Sequence, residues 1–233
     1  MDKVSTAGTP VDKTAIRNAA TIILYRRGAE GTEVLMGQRG ASAAFMPNKF
    51  VFPGGAVDAV DATVPFACGP DPVCAARLAA EAEQPLVPAL LAAAVRELWE
   101  ETGLILGVPG AWPTPAPRGW RGFAASGHLP SAEGLRFVYR AITPPGRPRR
   151  FDARFFLAPA TRVAGDVDDF SRAEDELSLL QWIPLTRARS FDLPFITEVV
   201  LGEVAALTAH DAPPDGVPFV RNDDLVAGIR RLR

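Results

Sequence analysis

Two short segments constrain this chain more than any others. An apolar run, Phe50-Val51-Phe52, stops at Pro53-Gly54-Gly55, and an Ala- and Leu-rich stretch beginning at Leu86 closes on Arg96-Glu97-Leu98-Trp99-Glu100-Glu101-Thr102-Gly103-Leu104. The first reads as a strand that ends in a sharp corner, since paired glycines open backbone angles closed to other residues and let the main chain approach a ligand. The second reads as a helix over Leu86 to Glu101, with Pro88 tolerable in its first turn and Gly103 as its C-cap. In that helix Glu97, Glu100 and Glu101 stand at i, i+3 and i+4 and share a face. Three like charges repel, and acids near a helix C-terminus oppose its dipole. A hard divalent cation, Mg²⁺ or Mn²⁺, turns the cluster into an asset, which points to metal-assisted chemistry on a phosphate. The plainer alternative is a solvated helix face, against which the glycine corner weighs.

Around these segments the periodicities predict strands at Ala20 to Tyr25, Glu33 to Arg39, Leu135 to Thr143, Phe151 to Ala158 and Leu177 to Ile183. Further helices are predicted over Val73 to Glu83 and Ile196 to Ala209. The Pro- and Gly-rich region 107–122 reads as a surface loop. Strands mixed with helices imply a compact α/β domain. Residues 1–15 read as a flexible N-terminal tail, 16–211 as one domain and 212–233 as a C-terminal tail packing on it.

With 25 basic and 27 acidic residues the net charge is −2, which gives no bulk attraction to nucleic acid or an anionic membrane. Apart from Lys3, Lys13 and Lys49 every basic residue is Arg, which suits bidentate phosphate recognition, although Ala/Arg/Pro-biased composition is the better account of it. Cys68 and Cys74 make neither a disulfide framework nor a zinc pattern. Residues 1–13 lack an apolar signal core and no membrane-span-length apolar run occurs, so a cytoplasmic protein is the expectation.

The run Arg96 to Leu104 resembles the second half of the signature of the Nudix hydrolase family, Arg-Glu-aliphatic-x-Glu-Glu-x-Gly-aliphatic. Gly55 matches the first glycine of that signature, and Asp61 stands where the family has Glu. The chain then runs 34 residues to Arg96 where the family has seven, an insertion of 27 (residues 62–88). That insertion resembles the branch containing the mammalian peroxisomal coenzyme A diphosphatase. The coenzyme A signature upstream of the glycines is half present: Leu35 and Arg39 fall in register, whereas Gly40, Ala44 and Asn48 depart from it.

The resemblance implies a Nudix-type α/β/α sandwich with a central mixed β-sheet. It implies Mg²⁺ or Mn²⁺ held by Glu97, Glu100 and Glu101 with the Gly55 carbonyl, Asp61 near metal-bound water, and Arg96 orienting a glutamate. The implied activity is cleavage of a nucleoside-diphosphate-linked small molecule, coenzyme A or acyl-CoA first, ADP-ribose or a dinucleotide second. A Nudix-fold module that binds nucleotides without cleaving them is the alternative from another class. Homodimers are common in the family. A general base is sought among Asp166, Asp168, Asp169, Glu174 and Glu176, with Glu174 favoured because its loop precedes the Trp182 strand. Arg39, Arg150 and Arg154 are candidate phosphate contacts, the last two balanced against a solvated sheet face. Phe45 is the candidate aromatic for the substrate; Trp112, Trp120 and Phe123 can stack on an adenine but suit core or loop anchoring better. His128 and His210 are isolated and not expected to be ligands.

Overall fold

A computed structural model describes residues 15–43, 45–80, 82, 86–209, 215–223 and 227–233. Ala44, His210 and the tail before residue 15 lie outside the described residues.

The strands are β1 (Ile16–Gly28), β2 (Gly31–Arg39), β3 (Phe50–Val51), β4 (Gly54–Ala56), β5 (Gly107–Pro109), β6 (His128–Pro130), β7 (Arg136–Ile142), β8 (Arg150–Pro159), β9 (Leu177–Pro184), β10 (Val217–Asn222) and β11 (Ala227–Leu232). The helices are α1 (Pro72–Ala79), α2 (Leu86–Thr102), α3 (Arg121–Ala125) and α4 (Phe195–Ala209). One sheet runs β11-β10-β7-β8-β1-β2-β3, with β4 also on β1 and β9 also on β2. It is mixed: β1 lies parallel to β8 and β10 parallel to β7, while the other pairs are antiparallel.

Strand β1 is covered on both faces. Ala20, Ile22 and Leu24 join the apolar cluster that contains Leu90, Val95 and Leu98 of α2, whereas Ile23 joins the cluster that contains Val200 and Val204 of α4. That alternation gives a sheet between two helical layers, the α/β architecture expected from the sequence. Helix α2 is buried nearly all round because it packs on β1 and β4, on residues 59–63 and on α1, with Trp99 against Phe123. It stops at Gly103, whose φ of +75° suits glycine and whose N–H donates to the Trp99 carbonyl at 2.8 Å. Among the described residues no helix is long and apolar enough to cross a membrane.

Two expectations change, and the insertion finds its place. The end of the chain is not a tail: β10 and β11 form a hairpin that extends the sheet beyond β7. Its strand character was concealed by the exposure of most of β11, which removes the apolar alternation. The 107–122 region is more than a surface loop, since β5 pairs with β6 and Trp120 is fully buried. The insertion is woven into the body of the protein. Asp71 caps α1 by accepting from the Val73 and Cys74 N–H groups, Cys74 and Leu78 enter the core, and Ala67 and Cys68 bond to the backbone of Pro130 and Ala132 at 2.9 Å each.

Candidate functional site

The glycine corner and the acidic end of α2 meet because β4 pairs with β1 on the face that α2 covers. Gly54, Gly55 and Ala56 stand opposite Thr21, Ala20 and Ala19. The Gly54 N–H donates to Glu101 Oε2 at 2.8 Å. A Cβ added to Gly54 would lie 2.7 Å from the Ala20 carbonyl oxygen, so this position requires glycine for strand packing.

Arg96 organises the carboxylates. Its Nη1 donates to Glu97 Oε1 at 2.8 Å and to Glu100 Oε2 at 2.9 Å. Its Nη2 donates to the Ala56 carbonyl at 2.9 Å, and Nε and Nη2 grip the two oxygens of Asp61 at 3.0 Å each. Burial works against the Arg96 charge, but the bonds to Asp61 and the fields of Glu97, Asp61 and Glu100 outweigh it and raise its pKa above the ordinary value.

The glutamates pay for their position. Burial, followed by the field of Glu100 set against that of Arg96, pushes Glu97 up to about 7. Burial and then Glu97 hold Glu101 well above the usual carboxylate range, with the Gly54 N–H pulling the other way. Glu100, more open, is raised by burial and lowered by Arg96. Glu101 Oε1 is buried with no hydrogen-bond partner. Such an orphaned acceptor is costly and suits a cation ligand. As these side chains stand, no group of three or more His, Cys, Asp or Glu residues among the described residues closes tightly enough to hold an ion. Arg96 holds one oxygen of Glu97 and one of Glu100, so ligation by those oxygens would require them to leave it. The donor set is all oxygen, and Mg²⁺ or Mn²⁺ fits it.

Asp61 differs from expectation. It is fully buried, and both its oxygens are taken by Arg96, by the Asp58 N–H at 2.8 Å and by the Trp120 indole N–H at 3.1 Å. Four donors fill its lone pairs, so it anchors Arg96 and has no capacity left for a metal.

Arg39 lies at the rim. Its Nη2 donates to Glu176 Oε1 at 2.6 Å, while its Nε is buried without a partner. Glu176 is near enough to raise the pKa of both Glu97 and Glu101, and Arg39 to lower that of Glu101. Glu174 is tied to α2 through its N–H to the Glu100 carbonyl at 2.8 Å and acts electrostatically on Glu100. Asp168 pairs with Arg26. Asp166 and Asp169 line a cavity of about 560 Å³ beside the C-terminal end of α2, bounded also by Trp99, His128 and Arg172 and by none of the three glutamates.

Arg150 and Arg154 are not on a solvated face. They are 4% and 2% exposed. Arg154 donates to Asn18 Oδ1 at 2.6 Å and pairs with Asp152, which also receives both arms of Arg140. Arg150 donates to the carbonyls of Thr143 and Asn222 at 3.1 Å. Arg150 thereby ties β8 to β10 and to the residue after β7, and Arg154 ties β8 to β1. Asp152 on the same strand face was the sequence signal for such an internal cluster. Phe45 packs edge-on against Phe151 with ring centroids 5.4 Å apart.

Comparison with known proteins places this geometry. No protein-family model matches the chain. It is 30% identical to a NUDIX hydrolase from Alicyclobacillus acidocaldarius whose crystal structure superposes with a TM-score of 0.62, over 84% of this chain and 97% of that one. It is 32% identical over 179 residues to a putative nudix hydrolase 7 from Caenorhabditis elegans, a match taking in 72% of this chain. The match spans about half (51%) of the length of that curated relative.

Proposed function

Because this chain belongs to the Nudix hydrolase family, we propose that it is a divalent-metal-dependent hydrolase cleaving the pyrophosphate of a nucleoside-diphosphate-linked small molecule, with coenzyme A or an acyl-CoA as first candidate. The observation that carries this reading is the meeting of Glu97 and Glu101 with the glycine corner, with Glu100 joined to Glu97 through Arg96 and Glu101 Oε1 buried and undonated. Mg²⁺ or Mn²⁺ held by these three glutamates and the Gly55 carbonyl would supply positive charge to the pyrophosphate oxygens.

The chain's own residues divide the remaining work. Arg96 holds Glu97 and Glu100 side by side against their repulsion. Arg39 offers its unpartnered Nε to a phosphate oxygen. Glu176, held through Arg39, is the favoured acceptor of the proton from the attacking water, ahead of Glu174, because its field reaches both Glu97 and Glu101. Water adds to one phosphorus, the bridging P–O bond breaks, and the departing phosphate takes the electron pair. Coenzyme A would yield an adenosine bisphosphate and a phosphopantetheine. The support for coenzyme A is the insertion together with Leu35 and Arg39 of its partial signature.

A panel of coenzyme A, acetyl-CoA, ADP-ribose and diadenosine polyphosphates with Mg²⁺ or Mn²⁺ tests this. Turnover of the coenzyme A compounds at the highest kcat/KM is expected. ADP-ribose turnover with none of coenzyme A overturns the substrate, and tight binding without turnover of any compound leaves a binding module.

A further inference from the structure

We propose that Trp120, which lies outside the signature that defines the site, is a positioning residue for it. It holds Asp61, and through Asp61 the Arg96 fork that keeps Glu97 and Glu100 in place. The inference rests on the metal-site reading above but adds a residue and a route to it.

Trp120 and Asp61 are both fully buried. The indole Nε1–H donates to Asp61 Oδ1 at 3.1 Å, the same oxygen that receives Arg96 Nε at 3.0 Å. The other oxygen takes Arg96 Nη2 and the Asp58 N–H. With four donors on four lone pairs the carboxylate cannot rotate without breaking a buried bond. Its orientation therefore fixes the plane of the guanidinium, and the guanidinium fixes where Nη1 stands between Glu97 and Glu100. Removing the indole donor leaves Oδ1 with a single donor and frees that rotation.

The indole is itself held. Its ring packs on Phe123 at 5.5 Å and Trp112 at 5.9 Å, and Phe123 in turn meets Trp99 of α2 at 5.8 Å. The segment that carries these rings is bound to the insertion through the Ala67–Pro130 and Cys68–Ala132 backbone bonds. Asp61 sits at the start of that insertion. The long detour in the chain thus joins the stretch just after Asp61 to the stretch just after the rings, which suits a brace for the Asp61–Trp120 contact.

The test compares Trp120→Phe with Trp112→Phe. Trp112 also spends its indole N–H on one bond, to the His128 carbonyl at 2.8 Å, away from Asp61. The Nε–H resonance of Arg96 in metal-free protein reads the fork directly, and Mn²⁺ affinity by titration reads its consequence. Trp120→Phe is expected to broaden or shift the Arg96 signal and weaken Mn²⁺ about tenfold. Trp112→Phe, which removes the indole N–H but keeps an aromatic ring against Trp120, is expected to leave both unchanged at a similar loss of Tm. Should Trp120→Phe fail to fold, the Trp120 indole signal of the unsubstituted protein is expected to move during a Mg²⁺ titration with the same midpoint as that of Arg96. An Arg96 signal and Mn²⁺ affinity equal in the two variants, or an indole signal that stays fixed while that of Arg96 moves, overturns the proposal. An unsubstituted protein that binds neither ion sinks the metal reading instead, while the metal-free Arg96 signal still judges Trp120.

Discussion

A Cβ placed on Gly55 would stand 2.5 Å from both carboxylate oxygens of Glu97. The glutamate fills the space that only glycine leaves. Gly55→Ala must therefore push Glu97 off its position. The expected outcome is a loss of Mn²⁺ affinity of about tenfold or more with a small change in Tm. Gly54→Ala, whose Cβ meets β1 backbone at 2.7 Å, is expected to cost about 1–3 kcal/mol of stability. Thermal melts and metal titrations on both variants separate the two roles; equal losses of stability would contradict it.

Glu101 offers a prediction of opposite signs. Its carboxylate is buried beside Glu97 with one oxygen undonated. Glu101→Gln removes that charge and keeps an oxygen for the Gly54 N–H. Without metal, Tm is expected to rise by a few degrees, while Mn²⁺ no longer raises it and hydrolysis falls by at least about 100-fold. A melt of each protein in chelator and in Mn²⁺ reads both effects.

The raised pKa of Glu97 makes stability depend on pH. Folded, it titrates at about 7 against an ordinary value of 4.5, so between those values the folded state binds the extra proton. Metal-free stability is therefore expected to fall as pH rises through that window, by up to about 3 kcal/mol. Saturating Mn²⁺ favours the ionised form, so the fall should vanish and metal binding should release protons. Melts from pH 4.5 to 8 with and without Mn²⁺ check the sign; stability that rises with pH in chelator would contradict it.

Glu176 and Glu174 are separated by kinetics. Glu176→Gln is expected to lower kcat about 100-fold or more with Mn²⁺ affinity little changed, and Glu174→Gln to lower it severalfold at most. Arg39→Ala is expected to raise KM more than it lowers kcat. A reversed order for the two glutamates would move the proton acceptor to Glu174.

Much of this was legible in the sequence, because local rules fix it. Helix α2, its glycine cap and the shared face of its glutamates follow from spacing alone, as do β2, β7, β8 and β9 to within a few residues. What spacing cannot show is which residues from distant segments share a buried volume. Arg150 and Arg154 alternate along β8 as a solvated face would, and spacing does not show that the Thr143 and Asn222 carbonyls receive Arg150 while Asn18 receives Arg154. Asp61 has the right offset for a metal contact, but Arg96 and Trp120 reach it from 35 and 59 residues away and fill it. Glu176, proposed above as the proton acceptor, is joined to Arg39 by a contact across 137 residues that spacing does not show.

Anomalous scattering from a crystal soaked in Mn²⁺ and a nonhydrolysable coenzyme A analogue tests the central claim most directly. The expected result is at least one manganese peak about 2.0–2.6 Å from oxygens of Glu97, Glu100 and Glu101, with the pyrophosphate on its open side. Saturating ion and analogue with no peak between α2 and Gly55 would contradict it.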